Sequence, residues 1–331
     1  MTSSSNNSSS SESDLIFVAD LGGTHLRAAT VDRSGRVHHR LKHPTPKSEL
    51  PAEIVRALVD AARACESECT SRGEKIVAVS VAVPGTVDFK EGVVIKAPNV
   101  PCLDGFRLGA ALESELEWPA IVENDANAAA MGEMWQGAGR GYQNIVCVTL
   151  GTGVGGGIIL DGKLWRGVDG SAGEMGHIGV DPFAGVSCKC GSRGCLEVYA
   201  SATAIVRMTR EAQPGYPNSL LQRSDDLTSE KIYRAGLAGD ELALEGLRRM
   251  GMYLGIGLAS LVNLLNPEII VIGGGVASGW ELFEKHMNQQ VQERAFALPA
   301  KRVKITRAEC VDDAGLLGAA RLGLIRTDAK S

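Results

Sequence analysis

Two stretches of the chain repeat one pattern, and this repetition restricts the fold more than any other feature. FVADLGGTHLRAATVDRSG, from Phe17 to Gly35, runs as an apolar segment, a Gly/Thr turn and a second β-prone segment closed by a polar turn. IVCVTLGTGVGGGIILDGKL, from Ile145 to Leu164, does the same. Short apolar runs joined by a glycine-rich turn read as hairpins, and their recurrence points to a duplicated structural unit. Around them, Ile54, Val55, Leu58, Val59 and Ala62 follow helical spacing between Pro51 and Cys69. KIVAVSVAVPG and AIVEND read as buried strands, and a helix follows from about Ala126 to Trp135. Further on, 240–265 reads as one helix or two, PEIIVIGGGVA as a strand entering a glycine turn, and DDAGLLGAARLGL as a helix. Strands alternating with helices place the chain in the α/β class with largely parallel sheets.

A length of 331 residues exceeds what one core usually organises. The expected architecture is two similar α/β lobes with a cleft between them. Residues 14–125, with a C-terminal helix at about 310–328, make the first, and residues 126–309 make the second. The first thirteen residues, MTSSSNNSSSSES, lack the apolar middle of a secretory signal and read as a disordered Ser-rich tail. The most apolar long run, MGMYLGIGLASLVNLLNPEIIVIGGG, is broken at Asn263, Asn266 and Pro267, short of the roughly 20 uninterrupted residues of a membrane span. A net charge of −5 speaks against a nucleic-acid footprint. The expected setting is therefore the cytoplasm, with reduced thiols and with neither a membrane nor a nucleic acid as partner.

The glycine turns carry the first candidate chemistry. In DLGGT, Gly22 and Gly23 let backbone N–H groups approach an anion, Thr24 offers a hydroxyl, and Asp20 can hold a metal–phosphate complex through water. Thr152 and Gly153 occupy the matching turn of the second unit, so the two turns could grip one polyphosphate. Neither is a Walker sequence, because no Gly-Lys-Ser/Thr follows. Gly274 and Gly275 follow a strand where a nucleotide can approach the backbone. In VENDANAAA, Asp125 falls at a strand-to-helix junction, where a carboxylate can take a proton from an attacking hydroxyl while Asn124 orients a polyol. The same pair is favoured as a helix N-cap, and the two roles are compatible. Gly85 and Asn99 lie in proline-punctuated loops suited to ligand contacts or to simple turns.

The most specific local signal is GEMGHIGVDPFAGVSCKCGSRGCLEV. Cys188, Cys190 and Cys195, preceded by His177, fit the Cys3His donor set of tetrahedral zinc. A disulfide is disfavoured by compartment and by the odd number of clustered cysteines, and a chance cluster is the remaining alternative. If all four bind, no position remains for water or substrate, so the zinc is structural and fixes the neighbouring Glu174 and Glu197.

Together, DLGGTHLR, APNV, ENDANAAA, TLGTGVGGGI, GEMGH, CKCGSRGCLE and IVIGGGV resemble the ROK family of sugar kinases and repressors, in the family's order and from about Leu15 to Leu322. The resemblance implies an actin-like, ribonuclease-H-like pair of lobes, ATP with Mg2+ as donor, structural Zn2+ on His177, Cys188, Cys190 and Cys195, and a homodimer or homotetramer. It makes Asp125 the general base for the 6-hydroxyl of a hexose. Gly85, Asn99, Asn124, Glu174, His177 and Glu197 become sugar-binding positions. Asp20, Gly22, Gly23, Thr24, Thr152 and Gly153 become phosphate-binding, with Gly274 and Gly275 near the nucleoside. APNVP resembles the glucokinase version, so glucose leads over N-acetylhexosamines, fructose and allose, while polyphosphate or ADP stays open as donor. A sugar-responsive repressor is the competing expectation. Only nineteen residues precede Asp20, against the several dozen of a helix-turn-helix reader, and Asp125 favours catalysis. An inactive sugar sensor is a third.

Overall fold

The structure is a computed structural model that describes residues 14–222 and 226–329. The Ser-rich tail expected to be disordered lies outside the described residues. Two compact units divide the described residues: those within 14–140, 166–172 and 312–329 form the first, and those within 141–165 and 173–311 form the second.

The first unit is built on β1 (Asp14–Leu21), β2 (His25–Val31) and β3 (Val37–Pro44), then α1 (Pro51–Ser71) and β4 (Lys75–Val83). A small hairpin of β5 (Thr86–Asp88) and β6 (Val93–Lys96) follows, then α2 (Leu108–Leu116), β7 (Ala120–Asn124) and α3 (Asp125–Gln136). The five-stranded sheet has the order β3-β2-β1-β4-β7. β1 and β2 are the hairpin expected from the sequence, antiparallel with Asp20 opposite Arg27, and β4 and β7 extend the sheet in parallel. Phe17, Leu58, Leu103 and Leu112 fill its core.

In the second unit the main sheet runs β10 (Lys163–Trp165), β9 (Val154–Leu160), β8 (Ile145–Leu150), β11 (Ile269–Gly273) and β12 (Lys304–Arg307). Its pairing repeats that of the first sheet, antiparallel for the first three strands and parallel for the rest. The sequence repeat is therefore a repeat of topology. Helices α4 (Glu197–Ala200), α5 (Ala202–Ala212), α6 (Ser229–Leu237), α7 (Glu241–Leu265), α8 (Trp280–Arg294) and α9 (Ala297–Arg302) cover it. α7 is one helix, stopped where Asn266 turns left-handed at φ +48° ahead of Pro267.

The unit boundary differs from the expected break at residue 125. α3 belongs to the first unit because it packs on the C-terminal helix (Ala314–Asp328). The contact is backbone to backbone: a Cβ on Gly318 would sit 1.6 Å from the Ala128 carbonyl oxygen, and one on Gly132 would sit 2.1 Å from that of Ala314. Among the described residues, no helix is long and apolar enough to cross a membrane.

Candidate functional site

In the first unit the candidate chemistry gathers at the end of β7. Strand conformation ends at Asn124 (φ −63°, ψ 142°), whose side-chain oxygen accepts the Asn127 N–H at 2.9 Å and caps α3. Its amide group donates to the Gly85 carbonyl at 2.8 Å and to Asp125 Oδ1 at 3.2 Å. Asn124 thus joins Gly85 and Asp125, both named from sequence, and also caps the helix. Asp125 opens α3, half-buried, and also accepts the Ala126 N–H at 2.8 Å. Gly85 takes φ +109°, and a Cβ there would lie 2.0 Å from the Lys96 carbonyl oxygen, so only glycine fits.

Behind this junction stands a pair that the sequence reading did not single out. Glu123 is 2% exposed. One of its carboxylate oxygens accepts the Asn124 N–H and the Asn127 amide, both at 3.0 Å, and the other accepts Arg166 Nε at 2.7 Å. The Arg166 guanidinium lies 4.3 Å from the Phe89 ring centroid. A buried acid directly before Asn-Asp was legible as a candidate, but its cationic partner lies 43 positions away and no spacing rule links them.

The DLGGT turn closes the β1–β2 hairpin. Gly22 N–H donates to the His25 carbonyl at 2.9 Å, the Thr45 hydroxyl donates to the Gly22 carbonyl at 2.6 Å, and Gly23, Thr24 and His25 are exposed. A Cβ on Gly23 would lie 3.0 Å from that of Asn99, so turn and APNV loop are neighbours. Asp20 is ion-paired with Arg27. The carboxylate that the sequence offers to a metal–phosphate complex therefore has a resident cation beside it.

In the second unit, Glu197 Oε2 accepts the Val154 N–H at 3.1 Å, and a Cβ on Gly153 would lie 2.4 Å from the same oxygen. Glu197, expected at the sugar, braces the glycine turn. Gly274 takes φ +84°, where a Cβ would lie 2.3 Å from the Leu150 carbonyl oxygen. Beside these turns is a cavity of about 560 Å3, bordered by Thr152, Gly275, Ser278, Ser229, Tyr233 and Arg234. It unites the two predicted glycine turns with α6, which no motif announced. That volume lies within the usual range for small-molecule pockets.

His177, Cys188, Cys190 and Cys195 converge with all four donor atoms within 4.8 Å of one another. His177 Nδ1 is 3.7 Å from Cys188 Sγ, and Cys190 Sγ is 3.7 Å from Cys195 Sγ, with no disulfide. Sulfurs about 2.3 Å from a tetrahedral zinc are about 3.8 Å apart, so the donor set fits that ion. The left-handed Gly191 (φ +94°) and Gly194 (φ +73°) shape the knuckle. The Ser192 N–H, with help from Cys188, holds the Cys190 thiol below its ordinary range. Burial, reinforced by the neighbouring thiols, pushes Cys195 up to about 12. His177 Nε2 points toward Glu174, 3.9 Å from its carboxylate, so the imidazole connects the cysteines to a predicted sugar ligand.

The sequence profile of the ROK family matches residues 17–325. A glucokinase of Halalkalibacterium halodurans is 39% identical over 313 residues, covering 92% of this chain and 94% of that protein. Among solved structures, a ROK family glucokinase from Streptomyces griseus, in complex with glucose and AMPPNP, is 36% identical with a TM-score of 0.78, over 94% of this chain and 99% of that one. A ROK family transcriptional regulator, a homolog of the E. coli MLC protein, is 27% identical with a TM-score of 0.86, covering 94% of this chain and 78% of that one.

Proposed function

The chain belongs to the ROK family, and we propose that it is a sugar kinase that moves the γ-phosphoryl group of ATP to the 6-hydroxyl of a hexose, glucose first. The observation that carries this reading is the Gly85–Asn124–Asp125 hydrogen-bonded set at the head of α3, in a chain whose glucokinase relative matches it nearly end to end.

An aspartate is ionised at neutral pH. Asp125 accepts the proton of the 6-hydroxyl as that oxygen bonds to phosphorus and the bond from phosphorus to the bridging oxygen of ADP breaks. Asn124 keeps the carboxylate oriented through its 3.2 Å contact and spends its carbonyl on the helix cap. Glu123, fixed by Arg166, holds the Asn124 and Asn127 side of the junction in place. We assign hydrogen bonds to sugar hydroxyls to Asn99, Asn124, Glu174, His177 and Glu197, with Gly85 beside the sugar. Phosphate contacts go to the backbone N–H groups of Gly22, Gly23 and Gly153 and to the Thr24 and Thr152 hydroxyls, with Asp20 and its partner Arg27 at the same turn. The nucleoside goes to the cavity lined by Gly275 and Tyr233, next to Gly274. Mg2+ arriving with ATP neutralises phosphate charge. Zinc held by His177, Cys188, Cys190 and Cys195 is a closed structural brace. We read the protein as a cytoplasmic homodimer or homotetramer.

A second reading, a sugar-responsive regulator, is favoured by the similarity to a transcriptional regulator. A coupled assay crossing ATP, ADP and polyphosphate with glucose, fructose, allose and N-acetylhexosamines separates the two. Turnover fastest with ATP and glucose is expected. Strong N-acetylhexosamine turnover beside negligible glucose turnover would move the substrate, and no turnover with any pair would favour the regulator.

A further inference from the structure

At the edge of the first sheet, β3 carries a feature that the kinase reading does not use. It pairs with β2 through Thr30↔His38 and Ala28↔Leu41, so His39 and Arg40 together face one residue of β2. That two-against-one count is a β-bulge, a device that re-aims side chains. His39 takes φ +46° in it, a left-handed conformation uncommon for a residue with a side chain. The strand as a whole lies half-buried to exposed, yet the His39 side chain is only 8% exposed. The Cys65 thiol, on α1, donates to the His39 carbonyl at 3.5 Å and holds the bulge from beneath.

Cys69, near the end of α1, is 1% exposed. Its carbonyl accepts the N–H groups of Arg72 at 2.9 Å and Glu74 at 3.0 Å, around the left-handed Gly73. This helix-end turn fixes Glu74 relative to Cys69. His39 Nε2 and Glu74 Oε2 are 3.6 Å apart. Both atoms are buried and neither makes a hydrogen bond. The donor atoms of His39, Cys69 and Glu74 all lie within 4.8 Å of one another.

A buried imidazole nitrogen and a buried carboxylate oxygen, unbonded to each other and facing a thiol, are satisfied together by one cation. Donors at 2.0–2.3 Å from a tetrahedral ion are about 3.3–3.8 Å apart, which the His39–Glu74 separation matches. We propose that His39 Nε2, Cys69 Sγ and Glu74 Oε2 form a second transition-metal site, taking zinc or a metal of similar softness, with water as the fourth ligand. The mixed nitrogen, sulfur and oxygen set disfavours Mg2+ and Ca2+, which take oxygen donors. Cys69 binds as the thiolate and gives its proton to solvent. The ion would tie the bulge of β3 to the end of α1. This proposal does not rest on the kinase reading, and its ligands belong to the first unit whereas the Cys3His set belongs to the second.

The test compares bound zinc in the full-length protein with that in Glu74→Gln and His39→Gln, each equilibrated with excess Zn2+, desalted and measured by elemental mass spectrometry. The expected result is one zinc equivalent fewer in each variant than in the parent, with unchanged circular dichroism. The difference is the readout, so it holds whether the Cys3His cluster binds one ion or none. If His39→Gln fails to fold, Glu74→Gln, at the more exposed rim, decides alone. Equal zinc in the parent and Glu74→Gln overturns the proposal.

Discussion

Replacing Glu123 with glutamine tests how the junction at Asn124 and Asp125 is held. The carboxylate accepts three hydrogen bonds, two at 3.0 Å on one oxygen and one at 2.7 Å from Arg166 on the other. A glutamine has one acceptor oxygen, so its amide N–H groups must face either Arg166 or the Asn124 and Asn127 donors. Losing one partner of a buried ion pair costs about 3–5 kcal/mol. The Arg166 side chain is 21% exposed, so water recovers part of its solvation, and about 2–3 kcal/mol is the working value. At about 2–4 °C per kcal/mol for a unit of this size, the melting temperature should fall by about 5–10 °C. If about half the loss is felt at Asp125, kcat falls about tenfold, since about 1.4 kcal/mol is a factor of ten. Thermal denaturation and a coupled glucose assay read both effects. A double-mutant cycle with Arg166→Leu should return a coupling of about 2 kcal/mol, and additivity within about 0.5 kcal/mol would refute the bracing argument.

Asp125→Asn should lower kcat by about 10²- to 10⁴-fold with glucose KM little changed and the native fold retained, because general-base assistance is what it removes; near-normal turnover would reject the assignment. Tyr233→Ala should raise the KM for ATP and leave that for glucose unchanged, and an unmoved ATP KM would exclude the 560 Å3 cavity as the nucleoside site. Cys190→Ser should lose the Cys3His zinc, measured by elemental analysis, and weaken sugar binding, measured by calorimetry, through displacement of Glu174 and His177. Normal glucose affinity in a variant shown to lack that zinc would separate the metal from the sugar ligands. At Asp32, burial raises the carboxyl, but hydrogen bonds from His38, Ser34 and the Arg36 N–H outweigh it and hold it at about 2. Because the folded value is the lower one, this stabilisation is present above about pH 4 and is lost as pH falls toward 2. Acid titrations of stability in the parent and in Asp32→Asn should converge at the low end, and parallel curves would contradict the sign.

The sequence repeat was readable because alternation of apolar runs and glycine turns is local, and the sheets reproduce it strand for strand. Asn124 beside Asp125, and the Cys3His residues that converge in space, were picked out from short motifs for the same reason. β3 was not: its three histidines and exposed positions lack the apolar alternation that marks a half-buried strand. The boundary of the first unit was missed because Gly132 and Gly318 become neighbours only through the fold. Arg27, Arg166 and Tyr233 were not singled out because the groups they meet lie on other elements. Glu197 was named as a sugar ligand, whereas its bond to the Val154 N–H depends on a turn 43 positions upstream.

The glycine crossing of α3 and the C-terminal helix also bears on the order in which the protein becomes active. Asp125 lies in the first half of the sequence, yet the helix on which it stands is seated by residues near position 318. A growing chain can therefore hold every residue assigned to sugar and phosphate and still lack the surface on which the helix of Asp125 packs. On the proposed assignment of Asp125, a chain cut before Gly318 should lack turnover even with every other assigned residue present.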